Sequence, residues 1–386
     1  MKKIEEIEVL RAVAILLTLT QHLGFLFCPT KEVWAMVNLN NPYWGGVDLF
    51  FCISGFVISK NLIREWPYRS IQSYWSQVWR FWVRRFFRIV PTLAVWLLIF
   101  LLASRFFNHS ENFGPIKPNL NDAKAALLNY SNFHIYQCVI GKSECGPNPV
   151  FWSLSLEEQF YLALPLLLLL PRRAVGIIVI VLIISQLPIN RLPWQPGVAG
   201  ALWFVRTDAI LLGVLLAYLS STNWHTKATF TLDRFRPWLR LSTIPFVVGL
   251  MLVPRSGMSV AAGGIALIST GLVFLASFDR QYLAPQGRLL TPLVWIGSRS
   301  FSIYLIHIPV FYIVTEIFFR RSSNGGIYKY PISDHPYHPY MALLTISLIL
   351  LISELNYRWI ETPLRKIGRD VTEKGLYSPS TVSPNR

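Results

Sequence analysis

The chain has 386 residues, of which 53% are hydrophobic and 15% are charged. An ordinary soluble domain is about 25% charged, so this composition argues against a soluble multidomain protein. The formal net charge of +16 at pH 7 does not indicate a nucleic-acid partner, because no soluble segment carries a basic stripe interleaved with exposed aromatic residues.

Apolar runs recur from the N-terminus almost to the C-terminus. A helix needs roughly 20 apolar residues to cross a hydrocarbon core of about 30 Å. We therefore predict an all-α polytopic membrane protein with about ten transmembrane helices. In chain order, the predicted spans are Ile7–Phe27, Val47–Ile63, Phe86–Ser104, Phe151–Leu170, Val175–Leu187, Ala201–Leu219, Leu241–Val253, Val260–Phe278, Leu293–Phe319 and Tyr340–Trp359.

The basic residues cluster in particular loops, and this clustering predicts the orientation. The segment Lys60–Arg88 contains seven Lys and Arg residues against a single acidic residue, and such segments face the cytoplasm and its anionic lipids. Ten spans then place both termini in the cytoplasm and the long polar loop Arg105–Val150 outside. Residues 1–369 form the predicted membrane domain, and residues 370–386 form a predicted disordered tail.

The first predicted span carries two ionisable residues, Arg11 and His22. Eleven residues correspond to three helical turns plus roughly 20°, so the two side chains share one face about 16 Å apart along the axis. Two interpretations stay open at this point. Arg11 extends to the headgroups while His22 hydrogen-bonds a neighbouring helix, or His22 is a neutral base in a protected cavity.

Arginines recur every four residues at Arg80, Arg84 and Arg88, with Arg85 beside them. On a helix this spacing lines one face, and guanidinium groups bind phosphate oxygens bidentately. The alternative is ordinary positive charge on the cytoplasmic side.

The predicted outer loop contains Cys138 and Cys145. If the loop faces an oxidising compartment, the two cysteines form a local disulfide; two free thiols are the alternative. The spacing of the cysteines is not typical of a zinc site, and we predict no metal site.

Seven runs carry the functional signal, and in chain order they are LRAVAILLTLTQHLGF, GGVDLFFCISGFVI, RRFFRIVP, FWSLSLEEQFYLALP, RTDAILLGVLLA, SRSFSIYLIHIPV and YRWIETPLRK. The runs span nearly the whole chain. Together they resemble the motifs of the acyltransferase-3 family of membrane acyltransferases, whose hallmark is an arginine and a histidine separated by ten residues. Arg11 and His22 have this spacing.

The resemblance implies transfer of an acetyl or other short acyl group from acetyl-CoA to a hydroxyl group. His22 is then the general base or a transient acyl carrier, and Arg11 positions the donor or stabilises developing charge. Arg85 and Arg88 match the family's Arg-x-x-Arg motif, which favours donor binding by the arginine cluster. Glu157 occupies the motif's acid position and orients His22 or binds the acceptor, while a structural ion pair stays open. Acetyl-CoA is a substrate, and no permanently bound cofactor is expected.

Further residues are candidates for supporting roles. We expect Asp48 and the pair Arg206 and Asp208 to pair with one another across helices in a structural role. His307, one turn after Tyr304, is a rival base ranked below His22. Ser54 lacks the context of a hydrolase nucleophile. The supporting set is Asp48, Ser54, Arg206, Asp208, Tyr304, His307 and Glu361.

The acceptor is not named by the sequence. The preferred interpretation is a glycan of the cell envelope or an exported glycan, modified at a bacterial inner membrane. A soluble small molecule such as a macrolide is an alternative acceptor. A transporter of lipid-linked glycan is an alternative of another class, in which the buried charges line a pathway.

Overall fold

The computed structural model describes residues 4–28, 31–37, 43–63, 70–189, 202, 206–256, 258, 260–285, 287–288, 290–321 and 339–374. Within these residues the chain forms helices and no β-strand, which confirms the predicted all-α class. The helices are α1 (Glu5–Leu23, continued by a 3-10 turn, Gly24–Phe27), α2 (Lys31–Val37), α3 (Gly45–Ile63), α4 (Ile71–Phe106), α5 (Ile116–Leu127), α6 (Ser131–Val139), α7 (Phe151–Leu167), α8 (Arg172–Gln186), α9 (Asp208–Ser220), α10 (Asn223–Arg234), α11 (Arg236–Arg255), α12 (Ala261–Ala276), α13 (Leu290–Ser298), α14 (Ser300–Arg321), α15 (Pro339–Asn356, continued by a π-helical turn, Tyr357–Glu361) and α16 (Thr362–Lys374).

Six helical stretches of the described chain are long and apolar enough to cross a membrane. They are Glu5–Phe27, Gly45–Ile63, Ile71–Phe106, Arg236–Arg255, Ser300–Arg321 and Pro339–Glu373. The helices α9 and α12 are apolar but shorter, and the start of the predicted sixth span, Ala201, lies outside the described residues. The structure therefore supports a multi-pass membrane protein, while the total of about ten spans and the cytoplasmic location of both termini stay predictions.

Three predicted boundaries differ from the structure. Helix α4 begins at Ile71, well before Phe86, because Ser70 caps it by accepting a hydrogen bond from the backbone N–H of Ser73. The predicted span Leu293–Phe319 is divided between α13 and α14. The last helix continues to Lys374, so the predicted disordered tail does not begin at residue 370, and residues 375–386 lie outside the described residues.

Glycines allow the central helices to approach each other at backbone distance. A Cβ atom built on Gly213 of α9 would lie 2.2 Å from the carbonyl oxygen of Cys52 on α3, and one on Gly55 would lie 2.1 Å from the carbonyl oxygen of Ile210. A Cβ on Gly46 would lie 2.6 Å from the carbonyl oxygen of Ala14 on α1. Close packing of this kind is how small residues associate helices in membranes.

A buried ion pair joins α3 to the segment just before α9. A guanidinium nitrogen of Arg206 donates to a carboxylate oxygen of Asp48 at 2.7 Å, and both side chains are shielded from solvent. The Arg206 guanidinium also lies 4.7 Å from the centre of the Trp44 ring. The predicted pairing across helices is confirmed for Asp48 and Arg206.

The segment between α4 and α7 folds over the same end of the bundle as the C-terminal part of α14. Its two cysteines, Cys138 and Cys145, are disulfide-bonded, which settles the alternative left open by the sequence. The carboxylate of Glu316 on α14 accepts hydrogen bonds from the backbone N–H groups of His109 and Ser110, both at 2.9 Å. These bonds fix the segment to α14.

The contact between α3 and α9 yields a stability prediction. Replacing Gly213 with Ala forces the two backbones apart, and overpacking of this kind costs about 1–3 kcal/mol in the free energy of unfolding. We expect a lower midpoint of thermal unfolding in detergent. The matched control is Gly176→Ala, because a Cβ at Gly176 in α8 meets no heavy atom within 4 Å. The control should leave the midpoint unchanged or raise it, since Ala favours a helix over Gly; equal midpoints for the two variants would contradict the close contact.

Candidate functional site

A cavity that is partly open to solvent, with about 670 Å³ of empty space, lies between helices α1, α3, α4, α7 and α14. Its charged lining residues are Arg11, Arg85, Arg88 and Glu157, and its hydroxyl groups include those of Ser54, Ser153 and Tyr304. Three arginines against one glutamate give the lining an excess of positive charge. A site of this composition favours an anionic ligand.

The structure divides the arginine cluster of α4 into two groups. Arg85 and Arg88 line the cavity, whereas Arg80 and Arg84 do not. The side chain of Arg84 instead donates to the Thr372 hydroxyl of α16 at 2.9 Å, and that of Arg80 donates to a carbonyl of its own helix. At about 100° per residue Arg88 lies between the directions of Arg84 and Arg85, and the cavity is on the Arg85 side. The expectation that all four arginines form one binding surface is therefore not met.

Arg85 is held by contacts with α7. Its guanidinium lies 4.3 Å from the centre of the Tyr161 ring, a distance typical of a cation–π contact. The indole N–H of Trp82 donates to the carbonyl oxygen of Tyr161 at 3.2 Å. These contacts hold α4 against α7 beside the cavity.

Glu157 lines the cavity, as predicted from its place in the motif, while its neighbour Glu158 does not. The hydroxyls of Ser54 and Tyr161 both donate to the same carboxylate oxygen of Glu157. The carboxylate thus links α3 and α7 at the cavity wall. Neither of these two hydrogen bonds involves His22.

Arg11 also faces the cavity. A guanidinium nitrogen of Arg11 lies 3.3 Å from a carboxylate oxygen of Glu8, one turn earlier on α1, and 18% of the Arg11 side chain is exposed. The interpretation in which Arg11 extends to the headgroups is not supported, because its side chain lines the cavity between the helices.

His22 does not line this cavity; it contacts a second histidine. The ring centres of His22 and His307 are 5.3 Å apart, and the ring of His307 is 5.9 Å from that of Tyr304. The Tyr304 hydroxyl lies 2.8 Å from the Ser153 hydroxyl at the cavity wall. A contiguous series of side chains therefore connects the cavity to His22.

The proximity of His22 and His307 was missed by sequence reasoning. The sequence indicates that each histidine is a buried candidate for the general base, but the two residues lie 285 positions apart. No local spacing relates residues on two helices that are so distant in sequence.

The remaining supporting candidates lie away from the cavity. Asp48, Arg206, Asp208 and Glu361 are not among its lining residues. Glu361 accepts a hydrogen bond from Ser302 at 2.8 Å and contacts Arg365, so it braces α14 against the π-helical turn. Asp208 is fully buried at the start of α9.

A family model described as an acyltransferase domain matches residues 4–355 of the chain. The chain belongs to the acyltransferase-3 family. This match confirms the resemblance carried by the seven motif runs. All the residues that line the cavity lie within the matched acyltransferase domain.

Curated relatives of this acyltransferase-3 protein include three bacterial O-acetyltransferases. The peptidoglycan O-acetyltransferase OatA of Listeria monocytogenes is 29% identical, with 95% of this chain and 56% of the relative covered. The O-acetyltransferase OatA of Staphylococcus aureus is 29% identical, with 84% and 53% covered. The putative peptidoglycan O-acetyltransferase YrhL of Bacillus subtilis is 27% identical, with 93% and 54% covered. The chain thus spans about half the length of these relatives. No solved structure matches it.

The cavity predicts a pattern of chemical labelling. A cysteine in place of Ser54 lines the cavity, whose three arginines attract an anionic reagent. We expect an anionic thiosulfonate reagent to modify Ser54→Cys at least about ten times faster than Ser59→Cys, because Ser59 lies on the same helix but is fully buried. The rates are measured by mass spectrometry after replacing the partly exposed Cys28 with Ser. Equal rates would exclude an accessible cavity.

Proposed function

We propose that the chain is a membrane O-acetyltransferase that moves an acetyl or other short acyl group from acetyl-CoA to a hydroxyl of a cell-envelope glycan. The observation that carries this proposal is the arginine-lined cavity connected by Tyr304 and His307 to His22. The relatives named peptidoglycan O-acetyltransferases support peptidoglycan as the acceptor. The proposed location is the bacterial cytoplasmic membrane.

The cavity is the proposed donor site. Arg11, Arg85 and Arg88 present three guanidinium groups, and guanidinium groups bind phosphate oxygens with paired hydrogen bonds. The phosphate-bearing end of acetyl-CoA binds at these arginines, and the acyl end extends past Tyr304 toward His22. Such an extension is required because Arg11 and His22 lie about 16 Å apart along α1.

In the proposed reaction the acceptor hydroxyl attacks the thioester carbonyl carbon. Neutral His22 takes the hydroxyl proton as the new C–O bond forms. The C–S bond then breaks, and the sulfur leaves with the proton returned by His22, so the products are the acetyl ester and free coenzyme A. A variant of this sequence has His22 carry the acyl group briefly before the acceptor receives it.

The first test removes the proposed base. His22→Ala should abolish transfer of labelled acetyl groups from acetyl-CoA to peptidoglycan fragments in proteoliposomes, a loss of at least about a hundredfold. The control is His225→Ala, because His225 lies on α10 and stacks on Phe278 away from the cavity. Both variants are checked for an unchanged unfolding midpoint. Full activity of folded His22→Ala contradicts the proposal, and wild-type glycan flux without thioester consumption would favour the transporter alternative.

The second test examines donor binding. Arg85→Ala and Arg88→Ala each remove a charged hydrogen-bond donor worth roughly 1.5–3 kcal/mol, so the KM for acetyl-CoA should rise about ten- to a hundredfold. Arg84→Ala is the matched control on the same helix, because Arg84 contacts α16 and not the cavity. Steady-state kinetics measure the KM of each variant. An equal rise in Arg84→Ala would show that general charge, and not the cavity, governs donor affinity.

A further inference from the structure

The two histidines that meet at the end of the connecting series differ in their surroundings. His307 on α14 is fully shielded from solvent, while His22 on α1 is partly exposed. Their rings are 5.3 Å apart between centres and inclined at 53°. Two imidazole rings joined by an N–H···N hydrogen bond have centres about 5 Å apart, so this separation is compatible with such a bond.

The tautomer of His307 follows from its backbone contact. Its Nδ1 atom lies 2.8 Å from the carbonyl oxygen of Tyr304. A carbonyl oxygen only accepts, so Nδ1 must carry the proton, and the neutral ring then has its lone pair on Nε2. The backbone of α14 therefore presents His307 as a hydrogen-bond acceptor at Nε2.

That acceptor has no partner among the described residues. The Nε2 atom of His307 is buried, and within the described ranges no group hydrogen-bonds to it. A buried polar atom without a partner costs roughly 1–3 kcal/mol. Since the His22 ring is in contact with His307, an N–H of His22 is the donor available to remove this cost.

Glu157, the other candidate for this role, has different partners. Glu157 was a candidate to orient His22, but its carboxylate accepts hydrogen bonds from Ser54 and Tyr161 at the cavity wall. The position beside His22 is occupied by the His307 ring.

We infer that His307 is a positioning residue for His22. By accepting the one N–H of neutral His22, His307 holds the ring in the orientation that leaves its other nitrogen free to take the acceptor's proton. When His22 becomes doubly protonated, the same bond stabilises the imidazolium, as a base-orienting partner does in other general-base sites. This inference rests on the proposed function.

Two substitutions separate the positioning role from a structural one. The amide of Asn at position 307 mimics Nδ1 and keeps the bond to Tyr304, but it lacks an acceptor at the Nε2 position. The longer Gln places an amide oxygen near Nε2 and so restores the acceptor. We expect His307→Asn to lower kcat about a hundredfold and His307→Gln to retain at least about a tenth of the wild-type kcat. In both, the KM for acetyl-CoA should stay within about threefold of wild type, because His307 does not line the cavity.

The outcomes that overturn the inference are distinct. If folded His307→Gln is as inactive as His307→Asn, the imidazole itself is required and His307 is not a positioning residue. If His307→Asn retains full activity, the contact has no catalytic role. A change in KM with unchanged kcat would place His307 in donor binding instead.

A measurement on the unsubstituted protein keeps the inference testable if the variants unfold. Nitrogen-15 NMR of histidine-labelled wild type in lipid should show His307 protonated at Nδ1 and unprotonated at Nε2, with one His22 nitrogen donating to it. A proton on Nε2 of His307 would overturn the inference. Absence of thioester turnover by the wild type would count against the proposed function, whereas a protonated Nε2 in an active wild type would count against the positioning role alone.

Discussion

The cost of placing ionisable groups inside a membrane governs this structure. An uncompensated charge in a spanning helix costs several kcal/mol, so each buried ionic side chain needs a partner or a polar cavity. Arg206 satisfies this requirement by pairing with Asp48 at 2.7 Å. Arg85 and Arg88, together with Glu157, instead line one polar cavity.

Close backbone contacts between helices fix the relative positions of the helices that line the cavity. In lipid the apolar side chains of neighbouring helices gain little by meeting one another, so close approach through small residues becomes the main attraction. Gly55 and Gly213 bring α3 and α9 together, and Gly297 of α13 meets the carbonyl oxygen of Glu8 on α1. The second contact lies one turn from Arg11. Glycine-mediated contacts between helices, which take no part in the reaction, therefore help to determine the positions of the cavity residues.

Helix α14 connects the two halves of the proposed reaction. Tyr304 belongs to the cavity wall through its side chain, and its carbonyl oxygen holds His307 at 2.8 Å. His307 in turn contacts His22 on α1. One helix thus relates the donor cavity to the proposed base, which explains how an arginine and a histidine about 16 Å apart on α1 can serve a single reaction. The fixing of the disulfide-bonded segment to Glu316 stabilises the same helix near its other end.

The sequence by itself determined the properties that depend on composition and on local periodicity. It was sufficient for the all-α membrane class, for the family, and for the shared face of Arg11 and His22, because a helix repeats every 3.6 residues wherever it packs. Only the tertiary structure separated Arg85 and Arg88 from Arg80 and Arg84, since all four satisfy the same spacing and the position of the neighbouring helices decides which of them meet the cavity. The contact of His22 with His307 was likewise decided by packing. His22 and His307 are separated by 285 positions in sequence, and such a separation does not predict their distance in space. The packing of the intervening helices determines that distance.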